Sequence, residues 1–167
     1  MKNETLTLEE TDLSELLLKD GKTEKPITVC FVCTGNTCRS PMAAAVLNHL
    51  GKGKYRAFSA GLSVSAGDRI AENSVKALEK AGIPSTLENP YKEHYAVQIT
   101  PQIMESCDRV IGISASHTLN LIYNFPDHSD KIGSMTEDIP DPFMYGEEVY
   151  QLCLEKITRC IKEMFAL

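Results

Sequence analysis

From residue 26 onward, short runs of apolar residues alternate with longer segments in which apolar residues recur at helical spacing. The apolar runs occupy 27–32, 55–59 and 109–113, and a shorter run lies at 131–133. Runs of this kind, bounded by proline, glycine or polar turns, are typical of strands buried on both faces of a parallel sheet. The pattern therefore predicts a sheet of about four strands.

A segment with helical spacing follows each predicted strand, and one more short helix is predicted before the third. Helices are predicted over 42–50, 68–81, 100–106, 115–124 and 149–164. Pro41 suits the first position of the first helix, and Asp68 suits the N-cap of the second. Strands that alternate with helices predict a single flavodoxin-like α/β domain, whose short parallel sheet is flanked by helices on both faces.

Residues 1–26 differ in composition from the rest of the chain. They contain seven acidic residues and four lysines but no aromatic residue. We expect an acidic N-terminal extension, with a short helix over 12–19 and a flexible linker over 21–26, ahead of the α/β domain at 27–167. The extension is either a solvated tail packed loosely on the domain or a docking element.

The overall composition excludes several classes of protein. The chain has 167 residues, of which 43% are hydrophobic and 24% charged, as is ordinary for a folded globular domain. Its apolar runs are far shorter than a membrane span, and its N-terminus lacks the apolar core of an export signal. We therefore expect a cytoplasmic protein without a membrane partner. The net charge of −6 argues against nucleic-acid binding, which needs a basic surface.

Six cysteines in a chain without an export signal are expected to be thiols rather than disulfides. Cys30, Cys33 and Cys38 have a spacing compatible with a zinc site. However, the sequence lacks the second close pair of cysteines or histidines that would complete four ligands. We therefore expect no metal.

The loop after the first predicted strand is the candidate site, because ligands of parallel sheets bind beyond the carboxyl ends of the strands. Its backbone N–H groups and the N-terminus of the following helix can surround one tetrahedral anion. Gly35 and Asn36 suit the left-handed backbone angles that such a turn requires. The predicted phosphate-binding residues are Thr34, Gly35, Asn36, Thr37, Cys38, Arg39 and Ser40.

Cys33 and Arg39 give this loop its predicted chemistry. The planar guanidinium of Arg39 matches two oxygens of a phosphoryl group. The loop amides, the helix dipole, Arg39 and the hydroxyl of Ser40 would all stabilise a thiolate at Cys33. A thiolate that faces a bound phosphoryl group is a nucleophile for phosphoryl transfer.

These features resemble the low-molecular-weight protein tyrosine phosphatase family, and most closely its protein arginine phosphatase branch. The similar segments are VCTGNTCRSPMA at 32–43, FSAG at 58–61, HYAVQIT at 94–100 and DPFMYG at 141–146. The resemblance implies a hydrolase that acts on phosphorylated proteins. It further implies a phosphocysteine intermediate, inorganic phosphate as a product and no need for a cofactor.

The resemblance also implies an acid that protonates the leaving group, in a loop before the last helix. The family has this acid in an Asp-Pro pair, which here is Asp141 with Pro142. Asp138, Glu137 and Asp127 are alternatives nearby in the sequence. We favour Asp141, because the match is to the Asp-Pro pair itself.

Thr37 bears on which phosphoryl group is removed. Tyrosine-directed members of the family usually have an aliphatic residue at this place, whereas Thr-Cys-Arg-Ser resembles the arginine phosphatases. A threonine hydroxyl suits a polar guanidinium better than an aryl ring. Phe143 and Met144 follow the acid where tyrosine-directed relatives often have aromatic walls, and Phe143 could flank a phenyl ring. We therefore favour phosphoarginine and keep phosphotyrosine as the alternative.

Two other functions are compatible with such a loop. An arsenate reductase would need a relay of two more cysteines after the third strand. Cys107 has no partner there, and Cys153 and Cys160 are expected to be core residues of one helix. A non-catalytic phosphate-binding module would be favoured if Cys33 or Asp141 were missing, and both are present.

The resemblance gives Cys38 a redox-protective role, because family members with a second loop cysteine can protect the nucleophile through a disulfide. We expect the chain to act as a monomer. The sequence assigns no role to the histidines His94, His117 and His128.

Overall fold

A four-stranded parallel sheet forms the centre of the computed structural model, which describes residues 25–167. The strands are β1 (Ile27–Cys33), β2 (Tyr55–Gly61), β3 (Arg109–Gly112) and β4 (Ile132–Ser134), in the spatial order β2-β1-β3-β4. All neighbouring pairs are parallel. The predicted flavodoxin-like α/β class is confirmed, whereas the helix predicted at 12–19 lies outside the described residues.

Helices connect the strands and extend beyond the last one. They are α1 (Arg39–Leu50), α2 (Glu72–Lys80), α3 (Pro101–Ser106), α4 (Ala115–Asn124) and α5 (Glu147–Phe165). Short 3-10 turns lie at Tyr91–Glu93 and Pro126–Lys131. No helix within residues 25–167 has both the length and the apolar character needed to span a bilayer.

The core lies on both faces of the sheet, because the central strand β1 is buried on both sides. Val29 and Phe31 belong to a larger apolar cluster that includes residues of α1, α2 and α5. Cys30 and Val32 belong to a smaller cluster that includes residues of α3 and α4. Each face of β1 therefore meets helices, which explains its continuous apolar run.

Two helix starts differ from the prediction. α1 begins at Arg39, so Pro41 is its third residue and the arginine itself lies in the first turn. α2 begins at Glu72 with Ala71 as its N-cap, so Asp68 does not cap it. The Ala71 N–H donates to the Thr37 carbonyl at 2.8 Å. This bond ties the segment before α2 to the loop after β1, and the helix begins only beyond it.

Candidate active site

The loop between β1 and α1 binds the surrounding protein through its carbonyl oxygens. The Thr34 oxygen accepts from the Ser63 N–H at 3.0 Å, and the Thr37 oxygen accepts from Ala71. Within the described chain, the N–H groups of residues 34–39 donate to no other protein group. These donors are available to an anion that enters the loop.

Asn36 holds the shape of this loop. Its backbone has a φ of +59°, in the left-handed region. Its side-chain Nδ2 donates to Ser40 Oγ at 2.8 Å and to Ser59 Oγ at 2.9 Å, while its Oδ1 accepts from the Val97 N–H at 2.8 Å. Gly35, which was expected to share this conformation, does not have a positive φ. The left-handed position of the turn is therefore Asn36 rather than Gly35, and the side-chain hydrogen bonds of Asn36 stabilise it there.

The Cys33 sulfur is buried at the end of β1, next to the hydroxyl of Ser40. Sγ and Oγ lie 2.9 Å apart. The same hydroxyl oxygen accepts from Asn36 Nδ2, which leaves its own proton free to point at the sulfur. The Ala60 carbonyl is a more distant acceptor at 3.4 Å. Ser40 is thus placed to donate to a Cys33 thiolate.

Arg39 is almost completely buried, with 7% of its surface exposed. Its Nη1 donates to the Ile139 carbonyl at 3.1 Å, and its Nη2 lies 3.3 Å from Asp141 Oδ2. Its Nε is buried and has no hydrogen-bond partner among the described residues. A buried donor without a partner is costly, and an oxygen of a bound phosphoryl group would supply one.

A cavity of about 230 Å³ opens at this loop. It is lined by Cys33, Thr34, Gly35, Asn36, Thr37, Cys38, Arg39, Ser63, Ser65, Asp68, Asp141 and Phe143. The sequence does not predict Ser63, Ser65 and Asp68 in this lining, because the segment after β2 carries no catalytic motif and reaches the loop only through the fold. Met144 does not line the cavity. It has a φ of +70° and is 86% exposed, so the structure does not bring this predicted specificity residue to the site.

The acidic candidates are placed differently from one another. Asp141 lines the cavity, and its Oδ1 accepts from the Phe143 N–H at 3.1 Å. Asp138 Oδ1 instead accepts from the first N–H of α4, that of Ala115, at 2.8 Å. Glu137 binds Arg159 and Lys156, and these contacts lower the pKa of its carboxyl group. Asp127 lies in the turn Pro126–Lys131 and does not line the cavity.

Two histidines that the sequence left without a role contact the loop. His94 Nε2 lies 2.8 Å from the Asn36 carbonyl oxygen, and burial lowers the pKa of this imidazole. His117 Nε2 lies 3.0 Å from Thr34 Oγ1. Both histidines are more than fifty positions away from the loop in sequence, with separations of 58 and 83 residues. His94 begins the segment HYAVQIT, so the family resemblance includes this residue but does not reveal its contact with the loop. His117 lies in none of the segments that carry the resemblance.

The remaining thiols near the site are buried. Cys38 Sγ lies 3.3 Å from Tyr150 Oη, and burial raises the pKa of this phenol, so it stays protonated and can donate to the sulfur. Burial raises the pKa of Cys153 to about 12, which makes it a poor nucleophile. Cys153 and Cys160 both belong to the core cluster.

Comparison with known proteins identifies the family. The family model for low molecular weight phosphotyrosine protein phosphatase matches residues 28–167. The chain belongs to this family. A protein-arginine-phosphatase of Geobacillus stearothermophilus is 28% identical to this phosphatase in an alignment of 146 positions, which covers 83% of this chain and 94% of the relative.

Solved structures of family members share the fold. A low molecular weight protein tyrosine phosphatase from T. tengcongensis has a TM-score of 0.77 at 30% identity, covering 84% of this phosphatase and 98% of that chain. A mutant of the YwlE arginine phosphatase with a phosphorylated active site serine has a TM-score of 0.74 at 26% identity. The match covers 83% of this phosphatase and 93% of that chain. The relatives therefore include both arginine and tyrosine phosphatases.

Proposed function

We propose that this member of the family is a protein arginine phosphatase that works through a phosphocysteine intermediate. The observation that carries the proposal is the buried, unpartnered Nε of Arg39 beside a loop of available N–H donors. Both features suit the oxygens of a phosphoryl group, and the nearby Cys33 sulfur is its nucleophile.

The chemistry takes two steps. The Cys33 thiolate attacks phosphorus, and the bond between phosphorus and the leaving nitrogen breaks as Asp141 gives its proton to that nitrogen. Arg39 and the loop amides hold the three remaining phosphoryl oxygens. Water then attacks the phosphocysteine, Asp141 takes a proton from it, and the sulfur–phosphorus bond breaks. Inorganic phosphate and the Cys33 thiolate are released.

A relative supports the covalent step. The mutant of the YwlE arginine phosphatase has a phosphorylated active site serine, so a side chain of that active site carries a phosphoryl group. In the present chain, we assign the equivalent role to Cys33, which lies at the end of β1 and lines the cavity. The Ser40 hydroxyl supports the same step, because it can donate to the thiolate that leaves when water attacks.

Polar side chains in the cavity wall favour phosphoarginine over phosphotyrosine. Thr37 is half-buried in the cavity wall, and the carboxylates of Asp68 and Asp141 line it as well. Hydroxyl and carboxylate oxygens accept hydrogen bonds from the N–H groups of a guanidinium, which a phenyl ring lacks. The protein-arginine-phosphatase relative supports the same assignment.

Phosphotyrosine is the second candidate substrate, because one wall of the cavity is aromatic. Phe143 lines the cavity and is 59% exposed, so its ring is accessible to a phenyl group. The T. tengcongensis relative is a tyrosine phosphatase, and it is as similar to this chain as the arginine phosphatase relatives are.

The test is parallel turnover of two peptides that differ only in carrying phosphoarginine or phosphotyrosine at one position. We expect kcat/KM to be at least about tenfold higher for phosphoarginine, the worth of one or two hydrogen bonds to the guanidinium. A higher value for phosphotyrosine would assign the second candidate. Turnover of neither peptide would reject the phosphatase proposal.

The nucleophile is tested with two cysteine variants. Cys33→Ser should abolish turnover but still bind vanadate, because Arg39 and the loop amides remain. Cys153→Ser is the matched control, since its sulfur lies in the core outside the cavity lining. It should retain turnover, and full activity of Cys33→Ser would remove Cys33 from the mechanism.

A further inference from the structure

His117 connects α4 to the phosphate-binding loop through two hydrogen bonds. It is 5% exposed and is the third residue of α4. Its Nδ1 accepts from the Ser114 backbone N–H at 3.1 Å, which closes a capping box at the helix N-terminus. Its Nε2 lies 3.0 Å from Thr34 Oγ1, in the first residue of the loop.

These contacts define one tautomer of the imidazole. A backbone N–H can only donate, so Nδ1 must be without a proton to accept from Ser114. The ring proton of a neutral imidazole is then on Nε2, which donates to Thr34 Oγ1. A second proton on Nδ1 would place two donors face to face and break the bond to Ser114.

The same helix end also holds the loop that carries Asp141. Ser114 Oγ donates to the Ile139 carbonyl at 3.3 Å, and the Ala115 N–H donates to Asp138 Oδ1 at 2.8 Å. The Ile139 carbonyl also accepts from Arg39 Nη1. The first turn of α4 thus contacts the loop before α5 on one side, and through His117 it contacts the phosphate-binding loop on the other.

The charges around His117 keep its imidazole neutral. Burial lowers its pKa below the usual value of 6.5, and the positive charge of Arg39 lowers it further. Asp141 and Asp138 oppose this effect, as the carboxylates that face it from the loop before α5. Because the lowering effects are larger, the ring is neutral at pH 7.

We propose that His117 is a positioning residue of the phosphatase reaction, whose neutral Nε2–H tautomer holds the start of the phosphate-binding loop in register with the loop that carries Asp141. The proposal rests on the proposed function, because the relative position of Cys33 and Asp141 matters only if both act on one phosphoryl group. His117 touches neither the substrate nor the reacting atoms, and it acts through Thr34.

Glutamine is the variant that separates positioning from titration. In His117→Gln, the side-chain oxygen can accept from the Ser114 N–H, as glutamine does at this place in a capping box, and the amide NH₂ can donate to Thr34. In His117→Ala both bonds are lost. We expect His117→Ala to lower kcat/KM for nitrophenyl phosphate up to about tenfold, the worth of one hydrogen bond, and His117→Gln to restore most of this loss at pH 7.5.

Two further variants separate positioning from a loss of helix stability. Thr34→Val keeps the capping box but removes the acceptor of the His117 bond, so it should lower kcat/KM like His117→Ala, and the double variant should be no worse than His117→Ala alone. Thr100→Ala is the control for helix stability. It removes the N-cap of α3, because Thr100 Oγ1 accepts from the Ile103 N–H at 3.2 Å. It should lower the melting temperature and leave kcat/KM unchanged.

The pH profile provides a readout that a purely structural role would not change. The ratio of kcat/KM between wild type and His117→Gln should be constant above pH 7. It should fall as the pH drops through the lowered pKa of the His117 imidazole, because only the wild type gains a proton on Nδ1. The second ionisation of the substrate phosphate cancels in this ratio. A ratio that stays constant over the pH range in which the His117 imidazole gains its second proton would overturn the proposal.

Nitrogen-15 NMR of the imidazole tests the tautomer independently of any activity. The signal that disappears in His117→Gln should show a protonated Nε2 and an unprotonated Nδ1 at pH 7. The opposite tautomer would overturn the proposal, even if the chain proves to be an active phosphatase. If the chain has no phosphatase activity, the proposed function is wrong but the positioning role of His117 can still be tested. The vanadate affinity of the same variants then measures whether the phosphate-binding loop keeps its conformation.

Discussion

At the scale of single residues, one ion pair distinguishes Asp141 from the other acids of its loop. Its Oδ2 lies 3.3 Å from Arg39 Nη2, whereas Asp138 accepts a hydrogen bond from the first N–H of α4. Asp141→Ala should slow hydrolysis of a poor leaving group by roughly 10²–10⁴-fold, because no proton is then supplied to it.

This prediction is checked by measuring kcat over a series of aryl phosphates. The loss in Asp141→Ala should shrink as the leaving group improves, since a good leaving group needs no proton. Asp138→Asn is the matched control, and its loss should not depend on the leaving group. The same loss for all leaving groups in Asp141→Ala would make Asp141 a structural residue.

Thr37 is the residue whose replacement should exchange one substrate for the other. Its side chain is half-buried in the cavity wall, so Thr37→Ile adds apolar surface there and removes a hydroxyl. We expect kcat/KM to fall for a phosphoarginine peptide and to rise for a phosphotyrosine peptide, by about tenfold in their ratio. A uniform loss on both peptides would indicate only a damaged loop.

Cys38 is predicted to rescue an oxidised Cys33. Peroxide converts a thiolate to a sulfenic acid, and a neighbouring thiol can condense with it to form a disulfide that a thiol reductant reverses. Both sulfurs belong to residues that line the same cavity. Activity of the wild type should therefore recover after peroxide and then reductant, whereas activity of Cys38→Ser should not. Equal recovery in both proteins would contradict the protective role.

At the scale of elements, a side-chain link joins the start of β1 to the start of β3. Asp108 Oδ2 accepts from the Thr28 N–H at 2.8 Å and from Thr28 Oγ1 at 2.7 Å, and the Asp108 N–H donates back to Thr28 Oγ1 at 3.0 Å. Both bonds lower the pKa of the Asp108 carboxyl group, and the bond from the Thr28 N–H has a larger effect than the bond from the Thr28 hydroxyl.

This link should make stability depend on pH. A carboxyl group with a lowered pKa stabilises the fold above its unfolded pKa of about 3.9, and the contribution is lost as the pH falls through the lowered value. Asp108→Asn should therefore unfold at lower urea concentration than wild type at pH 7, and the difference should shrink towards pH 3. Asp130→Asn, an exposed aspartate in the turn Pro126–Lys131, should match wild type at both pH values.

The sequence predicts the strands, the helices and the phosphate-binding loop of this fold better than it predicts where each helix starts or which distant residues contact the loop. Apolar runs and helical spacing are local signals, and they predicted the four strands and the five α-helices described but not the two 3-10 turns. The N-cap at Asp68 was wrong, because Ala71 is bound by Thr37 from a distant loop. The contacts of His94 and His117 with the phosphate-binding loop arise only when separate elements pack together, so no spacing along the chain could predict them.

At the scale of the whole molecule, residues 27–167 are predicted to fold and act without the acidic extension. β1 pairs with β2 and β3, and the family model matches from residue 28. A chain that begins at Lys25 should keep kcat/KM for nitrophenyl phosphate within about twofold of the full chain, with a similar melting temperature. A large loss of either quantity would show that the extension belongs to the domain.

The direction of β1 has a practical consequence. The strand is seven residues long and ends at Cys33, so at about 3.3 Å per residue its first residue lies roughly 20 Å from the nucleophile, at the opposite edge of the sheet. In a chain that begins at Lys25, a resin, a surface or a fluorescent reporter attached to that residue would therefore leave the mouth of the cavity open. Immobilised in this orientation, the Cys33→Ser protein should retain phosphorylated proteins from a cell extract.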